Sequence, residues 1–224
     1  LIDPSTGLPQ YDTSNHVLGN ASWDWTGGVY TNFRWKDLSL SAVFDVKVGA
    51  DLYSQTARAL HETGKATATL AGREAWYKSE EARKQAGIAQ GSADWTPTGG
   101  FVAPGVIDNG DGTYRPNDII INPEDYWMSV CRNAPSMFIY DNSYVKCREI
   151  TLSYTVPQAW LTKALKNVVK GCTLSFVARN PFIVWKNIKN IDPDSNYNNS
   201  SGMGLEYGSL PSRKSYGFNV NLKF

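Results

Sequence analysis

The feature of this sequence that most restricts its fold is an alternation of apolar and polar side chains with a period of two. The alternation occurs in five runs, at residues 29–35, 38–46, 150–156, 172–178 and 216–224. Successive side chains of a β-strand point to opposite faces of the sheet, so each run predicts a strand with one apolar and one polar face. No run of eighteen apolar residues is present in the sequence. A membrane-spanning structure would therefore have to consist of strands.

The connections between these runs differ greatly in length. Only Lys36 and Asp37 separate the first two runs, which predicts a hairpin. The other three connections occupy residues 48–142, 157–170 and 181–213. Short connections that alternate with long ones are typical of outer-membrane barrels, which have tight periplasmic turns and large extracellular loops. A soluble β-sandwich favours evenly short loops, and a connection as long as 48–142 is unusual in one.

The longest connection has structure of its own. Helix-favouring, charged sequence occupies residues 52–63 and 73–86, whereas glycine and proline produce successive turns between Gly99 and Pro123. These segments predict a folded loop domain. In the connection 157–170, an amphipathic stretch at 160–166 predicts a single surface helix.

Composition excludes some functions and leaves two kinds of surface open. The net charge of +1 provides no basic field for nucleic acid, while 12% of the residues are aromatic and 19% are charged. Such a surface suits a lipid interface or a carbohydrate, and it also occurs in soluble β-sandwich lectins. The two histidines, His16 and His61, lie in no nucleophile motif, and the three cysteines lack a metal-binding spacing. We therefore expect no enzymatic activity, no metal site and no cofactor.

Three local features allow both a functional and a plainer interpretation. Asp192 and Asp194 could form a glycosidase pair, but a turn-capping role is favoured. The segment 108–113 contains potential calcium ligands without the spacing of an EF-hand, so a hairpin turn is favoured there. Cys131 and Cys147 could form a disulfide if oxidised, although free thiols are favoured.

Several segments resemble motifs of the SusC-like TonB-dependent outer-membrane transporters. Residues 144–157 (YVKCREITLSYTVP) resemble the family segment Y-L-R-L-R-N-I-T-L-G-Y-x-L-P, with Cys147 in place of the usual Leu and Glu149 in place of Asn. The similarity is strongest over 143–224 and begins near residue 18. Further similar segments are 24–28 (DWTGG), the 36–37 hairpin with Phe44 and Asp45, 178–182 (ARNPF) with Trp185, 191–194 (IDPD), 207–211 (YGSLP) and the final strand, which ends in Phe224.

This resemblance implies a particular architecture and activity. The family forms a barrel of about 22 antiparallel strands around an N-terminal plug, and this chain would supply the last five strands with a large, partly helical extracellular loop. Its fold class would be all-β. The plug, the TonB box and the upstream strands would lie outside this sequence. The family imports oligosaccharides, or less often peptides, with energy from the TonB complex, and a SusD-like lipoprotein closes over the extracellular mouth.

The resemblance also assigns segments to the two sides of the bacterial outer membrane, with the C-terminus in the periplasm. Phe224 would be the recognition signal for the barrel-insertion machinery. The implied segments are an extracellular loop end at 1–25, a barrel hairpin at 26–47, an extracellular loop at 48–142, and three C-terminal strands within 143–224, with a periplasmic turn at 157–170 and an extracellular loop at 181–213.

One face of the predicted strands carries the residues that we expect to contact lipid or to form the interfacial aromatic girdles. These residues are Phe33, Trp35, Leu38, Leu40, Phe44, Ile150, Leu152, Tyr154, Leu174, Phe176, Tyr216, Phe218, Val220 and Leu222.

Aromatic side chains in the implied extracellular segments are the candidate contacts for substrate or for the lid. Sugar rings present apolar faces that stack on aromatic side chains, while Asn and Asp bond to hydroxyl groups. The plainer interpretation is that these side chains pack the interior of the loop. The candidates are Trp76, Tyr77, Trp95, Tyr126, Trp127, Tyr197, Asn198 and Tyr207.

Two other classes of protein remain open at this stage. A soluble β-sandwich carbohydrate-binding module would bury the apolar faces of all five strands in a core. A passive outer-membrane porin would share the strands with a transporter but would need no plug. Dependence of solubility on detergent separates the first class from a barrel, and a plug domain upstream separates the second from an active importer.

Overall fold

A computed structural model describes residues 1–165, 168–195 and 202–224. The chain divides into two compact units, which are described separately. The loop unit consists of residues 1–18 and 53–139, and the sheet unit consists of residues 19–52 and 140–224. Within the described ranges, no helix has the length and apolar character needed to cross a membrane.

Strands and helices are numbered in chain order. The strands are β1 (Trp25–Trp35), β2 (Leu38–Val48), β3 (Asp51–Ser54), β4 (Phe101–Val102), β5 (Val106–Asp108), β6 (Tyr114–Pro116), β7 (Ile120–Ile121), β8 (Ile139–Asp141), β9 (Tyr144–Thr155), β10 (Gly171–Lys186), β11 (Leu205–Glu206) and β12 (Ser215–Lys223). The helices are α1 (Gln55–Glu62), α2 (Arg73–Gln85), α3 (Pro123–Asn133) and α4 (Gln158–Leu165), with short 3₁₀ helices at Thr67–Leu70 and Pro135–Phe138.

The sheet unit contains a five-stranded antiparallel sheet of order β1-β2-β9-β10-β12. β1 and β2 form a hairpin across Lys36 and Asp37, where a positive φ of 52° at Lys36 permits the two-residue loop. Helix α4 lies in the connection between β9 and β10, where the amphipathic stretch predicts a helix. β1 and β12 form the two edges of the sheet. The five strands are thus in the order in which they follow one another along the chain.

The register of the five strands places the predicted apolar positions on one face. Directly paired residues of antiparallel strands share a face, and one row across the sheet runs from Phe33 through Leu40, Leu152 and Phe176 to Phe218. This face is exposed at the sheet edges, where Phe33 is 66% and Phe218 is 88% accessible. All of the residues predicted to contact lipid lie on this apolar face.

The opposite face of the sheet is polar. The neighbouring row consists of Arg34, Ser39, Ser153, Ser175 and Asn219, which are paired in that order. The hydroxyl groups of Ser153 and Ser175 lie 2.8 Å apart and share a hydrogen bond. The sheet therefore separates an apolar from a polar surface across its full width.

A β-bulge at Arg148 interrupts the alternation in β9. In β2, Val43 pairs with Glu149 while the next residue, Phe44, pairs with Cys147, so Arg148 has no partner in that strand. The extra residue shifts the alternation by one position. Cys147 thereby joins the apolar face, and Arg148 lies on the polar face together with Glu149.

Strand β10 is longer than the sequence predicts. The expected extracellular loop begins at 181, but the strand continues to Lys186. Asn180 has a φ of 48°, and register shifts follow at Arg179/Phe182 and at Ile183/Trp185. Asn180-Pro181 suggests the end of a strand because proline cannot donate to the sheet, but a proline is tolerated at a bulge.

In the loop unit, two helices begin at side-chain caps. The Ser54 hydroxyl accepts a hydrogen bond from the backbone N–H of Ala57 at 3.0 Å and starts α1. Asn122 accepts one from the N–H of Glu124 at 3.0 Å, and Pro123 occupies the first turn of α3. These caps fix where α1 and α3, which pack against each other, begin.

Helix α3 is amphipathic, with the spacing i, i+3, i+4, i+7 and i+8 on its inner side. The sequence analysis did not predict this helix. Its buried residues are Pro123, Tyr126, Trp127, Val130 and Cys131.

The acidic segment 108–113 forms the turn of the β5–β6 hairpin, as predicted. Asp108 accepts a hydrogen bond from the N–H of Gly110 at 2.8 Å, and Asp111 accepts one from the N–H of Thr113 at 2.9 Å. Both carboxylates therefore bond to the backbone of their own turn. Cys131, Cys147 and Cys172 are free thiols.

Candidate functional site

A cavity of about 410 Å³ lies in the loop unit, between the end of α1, the start of α2 and the start of α3. Three of the predicted aromatic contacts, Trp76, Tyr77 and Trp127, line it. Its volume falls in the range of small-ligand sites, which combine apolar walls with a few polar groups. Polar and charged side chains in its wall include His61, Glu62, Arg73, Asn122 and Glu124.

The aromatic walls of this cavity are held by close packing. A Cβ atom at Gly100 would lie 2.9 Å from the Trp76 ring, so the backbone approaches that ring more closely than any other residue type would allow. The ring of Trp127 is 9% exposed overall and lies 4.8 Å from the ring of His61, centroid to centroid. Tyr77 is 69% exposed. The cavity therefore combines two packed rings with one accessible ring.

Two polar side chains of the wall, those of Arg73 and His61, are held by hydrogen bonds to backbone carbonyls and one hydroxyl group. One nitrogen of the Arg73 guanidinium donates to the carbonyl of Gly64 at 2.7 Å and to the hydroxyl of Thr69 at 2.6 Å. The Nδ1 of His61 donates to the carbonyl of Ala57 at 2.8 Å, one turn earlier in α1. These bonds orient both side chains before any ligand binds.

The remaining predicted contacts do not line this cavity. Tyr126 is 6% exposed, and its ring centroid lies 4.6 Å from that of Phe101, which is a packing position in the loop unit. Trp95 and Tyr207 are partly and largely exposed, respectively, and are absent from the cavity wall. Tyr197 and Asn198 lie outside the described residues.

A buried network of charges occupies the polar face of the sheet unit. The Lys146 ammonium lies 3.1 Å from Asp192 and 2.6 Å from Asp194, and it also donates to the hydroxyl of Ser212. Its side chain is only 2% exposed. The network therefore joins β9 to the connection between β10 and β12 at two points, Asp192–Asp194 and Ser212.

The bulge in β9 adds a second cation to this network. Arg148 donates from two nitrogens to Asp194 and from two nitrogens to Asp45 of β2, with the Arg148 Nε–Asp45 distance at 3.1 Å. The Tyr144 hydroxyl donates to Asp194 at 2.7 Å. Because the bulge shifts the alternation, the side chains of Tyr144, Lys146 and Arg148 all reach the polar face.

The electrostatic surroundings keep the two loop carboxylates ionised. Burial alone would raise the pKa of Asp194, but hydrogen bonds from Arg148, Lys146 and Tyr144 hold it well below its usual range. Burial likewise opposes ionisation of Asp192, and hydrogen bonds from Ser212, from the backbone of Asp194 and from Lys146 lower its pKa. The network is therefore a set of charge pairs rather than a proton-transfer site.

Sequence reasoning detected only part of this network. Asp192 accepts a hydrogen bond from the N–H of Asp194 at 3.1 Å, which is the predicted turn-capping role. It also accepts one from the N–H of Ser212 at 3.0 Å, twenty residues later, which was not predicted. Its ion pair with Lys146 spans 46 positions and was not predicted. The signal in the sequence was a matched spacing. The two cations, Lys146 and Arg148, are two residues apart, and so are the two carboxylates, Asp192 and Asp194.

Comparisons with known proteins find similar sequences and similar arrangements of strands. TonB-dependent receptor P3 of Formosa agariphila is 22% identical over 218 residues, which cover 93% of this chain and 17% of the receptor. The RagAB peptide transporter superimposes over 100% of this chain and 21% of its own, with a TM-score of 0.59 at 20% identity. The fold is similar to that of part of a TonB-dependent transporter. The predicted resemblance to the SusC/RagA-like transporters is thereby confirmed.

Other comparisons agree with this transporter fold. The RagAB peptide importer in its closed-closed state covers 100% of this chain and 22% of its own, with a TM-score of 0.56 at 20% identity. No protein-family model matches the chain. The chain spans only about a fifth of the length of these transporters. The relatives are a receptor and importers, in agreement with the expectation that the chain is not an enzyme.

Proposed function

We propose that this chain is the C-terminal portion of a TonB-dependent outer-membrane importer that takes up oligosaccharides or peptides beneath a SusD-like lipoprotein lid. The observation that carries the proposal is the five-stranded sheet with an exposed apolar face and a polar opposite face. In a barrel, the apolar face contacts lipid and the polar face lines the interior. A soluble β-sandwich would cover that apolar face with a second sheet.

In this proposal the apolar face, with Phe33 and Phe218 at its two edges, contacts the lipid bilayer. β1 and β12 pair with further strands of a closed barrel of about 22 strands, because unpaired edges are not tolerated in lipid. The loop unit and the connection 187–214 face the outside of the cell. The α4 turn and the C-terminus, with Phe224 as the insertion signal, face the periplasm.

Oligosaccharide uptake is supported by the exposed ring of Tyr77 beside Trp76, because sugar faces stack on aromatic side chains. Peptide uptake is the second candidate, and two observations favour it. The solved relatives are a peptide importer and a peptide transporter by name, and the cavity wall contains the charged side chains of Glu62, Arg73 and Glu124, which can pair with the charged groups of a peptide. Cargo recognition would be followed by opening of the plug by the TonB complex, without any catalytic step.

Uptake by intact bacteria tests this function. Cells that lack the full-length protein are compared with wild-type cells for uptake of fluorescent oligosaccharides and peptides, before and after the proton gradient of the inner membrane is collapsed. We expect uptake of one cargo class to require both the protein and the gradient. Uptake that survives collapse of the gradient indicates a passive porin, and recovery of the protein in the soluble fraction indicates a binding module.

A further inference from the structure

We propose that the cavity of the loop unit binds the lysine or arginine side chain of a peptide, so that basic peptides are the ligands it selects. This inference rests on the proposed importer function and names the substrate class of its candidate site. A volume of about 410 Å³ accommodates one long side chain with its neighbouring backbone. The inference depends on the rings and the carboxylates in the cavity wall.

Three aromatic rings in one small cavity provide attractive surfaces for an organic cation. Ammonium and guanidinium groups are attracted to the faces of Trp and Tyr rings, and the attraction increases when water is excluded. Trp76 and Trp127 are held in place by packing, whereas Tyr77 is exposed. A lysine or arginine side chain also has an apolar stem that the rings can cover.

The charges of the cavity wall favour a cationic ligand. The wall contains two carboxylates, those of Glu62 and Glu124, and one guanidinium, that of Arg73. Arg73 is already bonded to Gly64 and Thr69. Glu62 has only a long ion pair of 3.7 Å with Arg58, and Glu124 makes no ion pair with any residue that the structure describes. The wall thus contains one more carboxylate than guanidinium, and Glu124 is the carboxylate that a cationic ligand would pair with.

A peptide also supplies the charge that pairs with this wall. Its lysine or arginine side chain brings a cation to Glu124, whereas a neutral oligosaccharide supplies no charge to pair with that carboxylate.

Calorimetric titration of the intact protein in detergent tests this inference. The probes are the blocked peptides Ala-Ala-Lys-Ala and Ala-Ala-Gln-Ala, together with cellotriose as a neutral sugar. We expect the lysine peptide to bind more tightly than the other two. The double variant Glu62→Gln/Glu124→Gln should bind the lysine peptide about fivefold more weakly and leave the glutamine peptide unchanged. Glu81→Gln, an exposed position of α2 outside the cavity, is the matched control.

A second variant tests the inference in case the double variant does not fold. Tyr77→Ala removes the exposed ring, which packs little, and should also weaken binding of the lysine peptide. Equal binding of the lysine and glutamine peptides, or tighter binding of cellotriose, overturns the inference. Gradient-dependent uptake without selection for charge overturns the inference but leaves the importer function standing. Charge-selective binding without uptake supports the inference and counts against the importer function.

Discussion

Lys146 is almost fully buried, with two carboxylates and a hydroxyl group around its ammonium. Removing one partner of a buried ion pair leaves the other charge uncompensated, which costs about 3–5 kcal/mol. We therefore expect Lys146→Met to lower the free energy of unfolding of the intact protein by about that amount in urea titrations in detergent. Lys223→Met, at an exposed position of β12, is the control and should change it by less than about 0.5 kcal/mol. Equal stability of both variants would contradict the network.

The carboxylates of this network make stability sensitive to acid. Asp192 and Asp194 have lower pKa values in the folded chain than in the unfolded one. Their contribution is therefore fully present above the unfolded pKa of about 3.9 and is lost as the pH falls below it. We expect the free energy of unfolding to decline below about pH 4, and Asp194→Asn to flatten that decline. An identical pH dependence in wild-type and variant proteins would exclude Asp194 as a cause.

At the level of single residues, the sequence revealed local roles better than distant partners. The turn made by Asp192 is local, because the N–H group that its carboxylate bonds there belongs to Asp194, two residues later. The pairing of Asp192 with Lys146 depends on the path of the chain between them, which no short-range pattern encodes. Tyr126 illustrates a local pattern that was overlooked. Its position on the buried side of α3 follows from the helical spacing of apolar residues in 123–131, which the sequence analysis did not use.

Among the elements, β10 depends on a bulge that begins at Asn180. A left-handed backbone conformation costs a side chain about 1–2 kcal/mol, and Asn tolerates it better than most residues. We expect Asn180→Val to lower the free energy of unfolding by about 1–2 kcal/mol, because a β-branched side chain fits poorly there. Asn180→Gly, which removes that strain but also loses a 3.2 Å hydrogen bond to Arg213, should remain close to wild type. A valine variant as stable as the glycine variant would contradict this role of the bulge.

The strands themselves were predictable where alternation is strict, and less so where it breaks. The row from Phe33 to Phe218 follows directly from the period of two, since each residue lies on the apolar side of its own run. The bulge at Arg148 could not be predicted, because it is defined by the register of β9 against β2. That single extra residue determines which side chains of residues 144–148 reach the polar face. The continuation of β10 beyond Pro181 was not predicted either, because it also depends on a bulge that only the strand register defines.

For the whole molecule, the two faces of the sheet support the proposed barrel over a soluble protein. An exposed apolar face that spans five strands is a liability in water but the requirement of a barrel wall in lipid. The open edges at β1 and β12 support the same proposal, because each needs a neighbouring strand to satisfy its backbone. The transporter-like fold and the exposed apolar face thus support the same proposal, a barrel wall in lipid.

Accessibility of spin labels along β12 tests the barrel account most directly. In the intact protein in lipid, with Cys131, Cys147 and Cys172 replaced by alanine, labels are attached in turn at positions 218–222. The account predicts that labels at 218, 220 and 222 collide with oxygen, which dissolves in lipid, while labels at 219 and 221 collide with a water-soluble nickel complex. Equal access of the nickel complex to all five positions would contradict a lipid-facing wall and, with it, the importer.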